Sequence, residues 1–175
     1  MEEIKIQNRI PYEYFVTSGK GESNLGIHTG SFDKALSSAG IGDQNIMIYS
    51  SIMPPVAKKI KKVKLSFGSV TETIMAVKNG EKGERLTAGI GIAWVYKGNK
   101  KIGGLVAEYS GNDSKKDARK KLFDSLLEMY ITRFGENKAY KIKKIEMKIE
   151  SFKPKKKYGT VLVAICFTSH IIPRK

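Results

Sequence analysis

The sequence predicts an α+β protein built of mostly antiparallel strands and two helices. Three observations carry that prediction. Most of the chain divides into apolar runs of strand length, broken by Gly, Asn and Lys. One long segment, 114–135, repeats its apolar residues with helical period. A shorter segment, SFDKALSSAG, opens on a serine and closes on a glycine, as a short helix does.

In chain order, YEYFVTSG is a short strand and GKGESNLGIHTG a glycine-rich loop. SFDKALSSAG follows as a helix with Ser31 as its N-cap and Gly40 just past its end. IGDQNIMIYSS is a turn leading into a strand, and KKVKLSF, ETIMAVK, LTAGIGIAWVY and IGGLVAEYSG are further strands. The long helix starts at a capping box of Ser114 and Asp117, lines Ala118, Leu122, Leu126 and Met129 on one face, and stops at Gly135. KIKKIEMKIESF and TVLVAICFTSH are the last strands, joined by the polar turn PKKKYG. Glycines 83, 89 and 91 in GERLTAGIGIA do not have nucleotide-loop spacing and open no helix, so close strand packing accounts for them.

At 175 residues, 41% hydrophobic and 28% charged, with no repeat, low-complexity block or linker, the chain reads as one domain over residues 1–175. Its one cysteine, Cys166, forms no internal disulfide, and its place in VLVAICF makes it a core thiol. With only His28 and His170 besides, no metal-ligand spacing exists. The start, MEEIKIQNRIPYEYF, does not read as a signal peptide, and no apolar run approaches membrane-spanning length; a cytoplasmic protein is expected. The net charge of +15 suits a polyanion. The lysines are nevertheless scattered through turns and strand flanks, without an arginine-rich arm, finger spacing or aromatic RNA-binding signature. That pattern argues for a solvated basic face and against nucleic acid as the partner.

The stretch YSSIMPP carries the chemistry. An apolar run ends on adjacent serines, and Pro54 and Pro55 hold the chain extended just beyond them. The hydroxyl of Ser51 can attack the carbonyl of Ser50, exchanging the amide for an ester; elimination then breaks the chain and leaves a remnant that hydrolyses to a pyruvoyl group. Such a step needs a bent backbone and a donor to the developing oxyanion.

SFDKALSSAGIGDQNIMIYSSIMPP, with GLVAEYSGNDSKKDA later, resembles the pyruvoyl-dependent arginine decarboxylases, from about residue 13 to the last strand. The resemblance implies cleavage into residues 1–50 and 51–175 and a covalent pyruvoyl cofactor derived from Ser51, with no metal and no pyridoxal phosphate. It implies that L-arginine is converted to agmatine and carbon dioxide for polyamine synthesis. It assigns Asn45 to assisting cleavage by donating to the oxyanion, Glu108 to protonating the substrate carbon, and Asp33 to the substrate guanidinium, with Gly42 and Gln44 lining the same pocket. By itself, Asp33 also reads as a first-turn helix acid, and the apolar run Leu105, Val106, Ala107 could keep Glu108 protonated. The implied fold is a four-layer αββα sandwich, assembled as a homotrimer of cleaved protomers or a dimer of such trimers. A pyruvoyl decarboxylase for another amino acid and a non-enzymatic basic nucleic-acid-binding module on the same fold are the alternatives.

Overall fold

The computed structural model describes residues 8–135 and 137–173. The reading of the first residues as no signal peptide falls in part on residues 1–7, outside that range. The elements run β1 (Ile10–Pro11), β2 (Glu13–Ser23), α1 (His28–Ala39), β3 (Asn45–Ile48), β4 (Ile52–Met53), β5 (Lys58–Lys59) and β6 (Val70–Glu81). They continue as β7 (Leu86–Lys97), β8 (Lys100–Gly111), α2 (Lys115–Phe134), β9 (Tyr140–Phe152), β10 (Tyr158–Phe167) and β11 (His170–Ile171).

Two sheets, ordered β3-β6-β10-β2-β5 and β4-β8-β7-β9, pack face to face, while β1 and β11 pair as a separate ribbon. Pairing is antiparallel except where β3 joins β6 and β5 joins β2. Strand alternation sorts the apolar residues into three layers. Ile74, Ala76, Val161, Val163 and Ile165 meet Ile90, Ile92, Trp94 and Val106 between the sheets. Phe15, Leu162, Ala164 and Cys166 face α1 on one outer side. Ala93, Val95, Leu105 and Ala107 face Leu122 and Leu126 of α2 on the other. The fold is therefore α+β, layered α, β, β, α. The central strands β7 and β10 are covered on both faces, which is why they read as continuous apolar runs rather than alternating ones. Burial pushes the Cys166 thiol up to about 12, a core group and not a nucleophile at neutral pH.

Several elements depart from the sequence reading. The expected loop over 19–30 is mostly strand and helix: β2 continues to Ser23 and α1 begins at His28. The glycines are needed for close approach, because a Cβ at Gly19 would overlap the carbonyl oxygen of Ala35 and one at Gly21 that of Ser31. Gly19→Ala and Gly21→Ala are each expected to lower the unfolding free energy by about 3 kcal/mol, the upper end for overpacking, since backbone must move; urea unfolding measures it.

Ser31 does not cap α1. The N-cap is Ile27, with no side-chain bond, and Ser31 is buried inside the helix, its hydroxyl donating to the His28 carbonyl at 2.8 Å and lying 2.8 Å from Thr160 Oγ1. A small polar residue is required there because the helix rests on the sheet at that point. Asp33 consequently lies in the second turn rather than the first. Gly40 does close the helix in the left-handed conformation, with φ of 70°. The run KKVKLSF alternates like a strand but forms none: after the Ile60 N–H donates to Tyr14 at 2.8 Å the chain leaves the edge of β2. Leu65 packs beneath α1, and Lys62 donates to the terminal Ala39 carbonyl at 2.6 Å. The last strand ends at Phe167, where Thr168 turns back to Glu13, and His170–Ile171 pairs with β1 instead. Gly83, with φ of 83°, makes the turn between β6 and β7, whereas Gly89 and Gly91 do pack closely, against Leu122 and Leu126.

The capped helix α2 forms as expected: Ser114 Oγ accepts from the Asp117 N–H at 3.2 Å and donates to the Asp117 carboxylate at 2.6 Å. At the outer edge of its sheet β9 turns Glu146 and Glu150 toward the gap between the sheets, paired with Lys59 and Lys144 and with Lys20 and Lys115. Charges set inward at an edge discourage strand addition. Burial opposes the Glu146 charge, but hydrogen bonds from Lys59, Lys144 and Trp94 prevail and hold its pKa down at about 2.

Candidate active site

The serine pair occupies the crossing between the two sheets. The Tyr49 N–H makes the last bond to the first sheet, on the Thr73 carbonyl at 2.7 Å, and the Ser51 carbonyl makes the first bond to the second, from the Val106 N–H at 3.0 Å. Beyond the crossing Ile52 and Met53 pair with Leu105 and Gly104. Met53 is fully buried and anchors the downstream side; position 104 is glycine because a Cβ there would stand 2.9 Å from the Met53 Cβ. The Ser50–Ser51 bond is thus spanned between two fixed points, one in each sheet.

Two features of this crossing bear on chemistry. The Ser51 hydroxyl donates to the Glu108 carboxylate, at 2.9 Å from Oε1 and 3.1 Å from Oε2. The Ser50 carbonyl accepts the Ile52 N–H at 2.9 Å, a three-residue turn centred on Ser51. Glu108 is open to solvent on one side, but the shelter of the sheet edge raises its pKa above the usual carboxylate value, partly opposed by the bond from Ser51. The arrangement offers a hydroxyl, a carboxylate able to take its proton, and a backbone donor already on the neighbouring carbonyl. Sequence reasoning missed the Ile52 N–H, and no residue type could have signalled a main-chain donor.

The remaining expected site residues lie elsewhere in the protomer. Asn45 begins β3, with its amide donating to the Gly68 carbonyl at 2.8 Å and not to Ser50. Gln44 donates to the Ser66 carbonyl at 3.2 Å, and its own buried Oε1 has no partner among the described residues. Gly42 abuts Ser37, with space for no Cβ. Asp33 stands exposed on α1, beside Lys34, whose ammonium turns back to the Glu22 carbonyl at 3.4 Å. Its helix neighbour Ser31 meets Thr160 at one end of β10, while the Tyr49 ring packs on Phe167 at the other, centroids 5.9 Å apart. Those contacts are seven residues apart along β10, roughly 23 Å at ~3.3 Å per residue. One protomer therefore brings together Ser50, Ser51 and Glu108, and holds Asp33 far from them.

Among the described residues, no three His, Cys, Asp or Glu side chains gather as metal ligands, and no helix is long and apolar enough to cross a membrane. The family model described as pyruvoyl-dependent arginine decarboxylase matches residues 13–171. A protein named pyruvoyl-dependent arginine decarboxylase from Methanococcus aeolicus is 33% identical over 138 residues, 78% of each chain. The protein of that name from Methanococcus vannielii is 35% identical over 115 residues, 65% of this chain and 68% of its own. That from Thermococcus sibiricus is 29% identical over 136 residues, 76% and 82%.

Proposed function

The chain belongs to the pyruvoyl-dependent arginine decarboxylase family, whose members are carbon–carbon lyases, and on that premise we propose that it cuts itself between Ser50 and Ser51 and then converts L-arginine to agmatine and carbon dioxide. The observation that carries the proposal is the Ser51 hydroxyl on the Glu108 carboxylate, one residue from a carbonyl already held by a donor.

In the cut, Glu108 takes the hydroxyl proton, Ser51 Oγ bonds to the Ser50 carbonyl carbon, and the Ile52 N–H stabilises the oxygen that gains charge. The C–N bond breaks to give an ester. Elimination releases residues 1–50 with a carboxylate at Ser50, and water then replaces the nitrogen of the Ser51 remnant, which leaves as ammonia. The site residues fit the resulting group: Ser51 is already fixed by its carbonyl to Val106, and Glu108 remains within reach. When present, the pyruvoyl supplies a ketone that condenses with an amine and withdraws electrons from the carboxyl-bearing carbon, in place of pyridoxal phosphate or a metal. Glu108, in the neutral form that burial favours, then delivers a proton to that carbon.

The rest of the site is proposed to come from a second copy. Asp33, together with Gly42 and Gln44, would receive the guanidinium on a planar fork, and the separation of Asp33 from Ser51 within one protomer supports a homotrimer with sites between neighbours. The free edge of β3 supports it too, since Met47 and Ile48 are 49% and 60% exposed there. In this reading Asn45 acts on cleavage only if it releases Gly68, the setting is the cytoplasm, and agmatine passes to polyamine synthesis. Intact mass under denaturing conditions, followed by carbon dioxide release from arginine, lysine, ornithine and histidine, tests it. Two chains divided after Ser50 and release from arginine alone are expected. An uncut chain overturns the cleavage, and release from histidine alone overturns the role of Asp33.

A further inference from the structure

A buried carboxylate that the proposed chemistry does not use lies beside β3, the strand that leads into the serine pair. Glu72 is 5% exposed, on β6, and β6 carries the carbonyl of Thr73 that holds the Tyr49 N–H. Arg9 pairs with its Oε1, and His170 Nε2 lies 3.8 Å from its Oε2. A carboxylate buried to this degree is retained at a desolvation cost unless its partners are fixed. Here they are fixed by the ribbon: Ile10 and Pro11 pair with Ile171 and His170, so both ends of the described chain close over Glu72.

The Arg9 pKa is raised, first by the Tyr49 side chain and next by Glu72, which sets the phenol beside the same guanidinium. Tyr49 is restrained by its N–H on the carbonyl of Thr73, the residue next to Glu72, and by its ring on Phe167 at 5.9 Å, close to the start of the ribbon that closes over Glu72. It is the residue immediately before Ser50. A shift of about 1 Å in a reacting carbonyl can cost on the order of a hundredfold in rate, so whatever fixes Tyr49 sets how well Ser51 meets its target.

We propose that Glu72 and Arg9 form a clasp that positions the Ser50 carbonyl for attack by Ser51, making both positioning residues for self-cleavage. The clasp rests on the cleavage reading above. It acts from the upstream side, opposite the Met53 anchor, and contributes no group to the reacting atoms.

The test is a time course of chain cleavage after synthesis of the full-length protein, read by intact mass at a temperature well below the unfolding transition of every variant used. Glu72→Gln and Arg9→Met are expected to cleave at least tenfold more slowly than the wild type, and Arg9→Lys to recover most of that loss. Tyr49→Phe keeps the ring on Phe167 and removes only the hydroxyl, so it serves where Glu72→Gln does not fold; a slowing of severalfold is expected. Once cut, Glu72→Gln should bind substrate with the wild-type KM, which a general loosening of the fold would not preserve. Folded Arg9→Met and Tyr49→Phe proteins that cleave at the wild-type rate overturn the clasp and leave the cleavage reading intact. A wild-type chain that never cleaves removes both.

Discussion

Replacing Ser51 with alanine is expected to leave one uncut chain of 175 residues and to lower arginine decarboxylation by more than about a thousandfold, because in the proposed reaction the Ser51 hydroxyl is the attacking group and the carbon skeleton of the same residue becomes the cofactor. Ser50→Ala provides the contrast. Ser50 contributes a backbone carbonyl to the step and its hydroxyl is not required, so that variant should still be cut at the same bond. Intact mass separates the two within one experiment. Cleavage of Ser51→Ala would sink the assignment of the nucleophile, and failure of Ser50→Ala would mean that its side chain has a part in the turn centred on Ser51.

Glu108→Gln is the second large effect. Loss of a positioned acid costs about a hundredfold to ten-thousandfold, so decarboxylation per cleaved chain should fall within that range. The pH dependence separates its two roles. The raised pKa keeps Glu108 protonated to higher pH than an ordinary carboxylate. Protonation of substrate carbon needs the neutral form, so that step is full at pH below the raised pKa and declines as pH rises through it. Acceptance of the Ser51 proton needs the ionised form, so cleavage accelerates as pH rises. Rates of cleavage and of carbon dioxide release, measured separately against pH, should slope in opposite directions, with the midpoint for release above that for cleavage, because the cut removes the Ser51 hydroxyl whose bond lowers the Glu108 pKa. Glutamine, which cannot titrate, should flatten both. Parallel slopes would detach Glu108 from one of the two steps.

How far these features were legible depends on the distance over which each is determined. The capping box at Ser114, the stripe Ala118–Leu122–Leu126 and the apolar run of β10 are local patterns, and each took its expected place. Gly19 and Gly21 misled because a turn residue and a residue flattened beneath a helix are both written as glycine; only the position of α1 tells them apart. Ser31 misled in the same way, since a cap and a buried hydroxyl beside Thr160 call for the same small polar side chain. In the site, the serine pair was visible because the chemistry is written in adjacent residues. A catalytic part for Glu108, 57 positions from Ser51, came only through the resemblance, as did the substrate role given to Asp33 and the cleavage role given to Asn45. Glu72 gave no signal, since an acid in the alternating run VTETIMAVK reads as a solvent-facing position until the second sheet covers it.

The crossing from sheet to sheet has a consequence for inheritance as well as for chemistry. A break at Ser50 leaves β2 filling a slot between β10 and β5, with ten residue pairs to β10 alone, and leaves β3 on β6. Each fragment lacks strands that only the other supplies: without residues 1–50 one sheet loses β3 from its edge and has a gap between β10 and β5, and alone those residues have no sheet to join. Encoded separately, the halves would behave as an obligate complementation pair, each unfolded until it finds the other. Synthesis as one chain guarantees equal numbers and immediate encounter, and the proposed cut, which needs the folded crossing, would remove the tether only after the strands have been threaded into place.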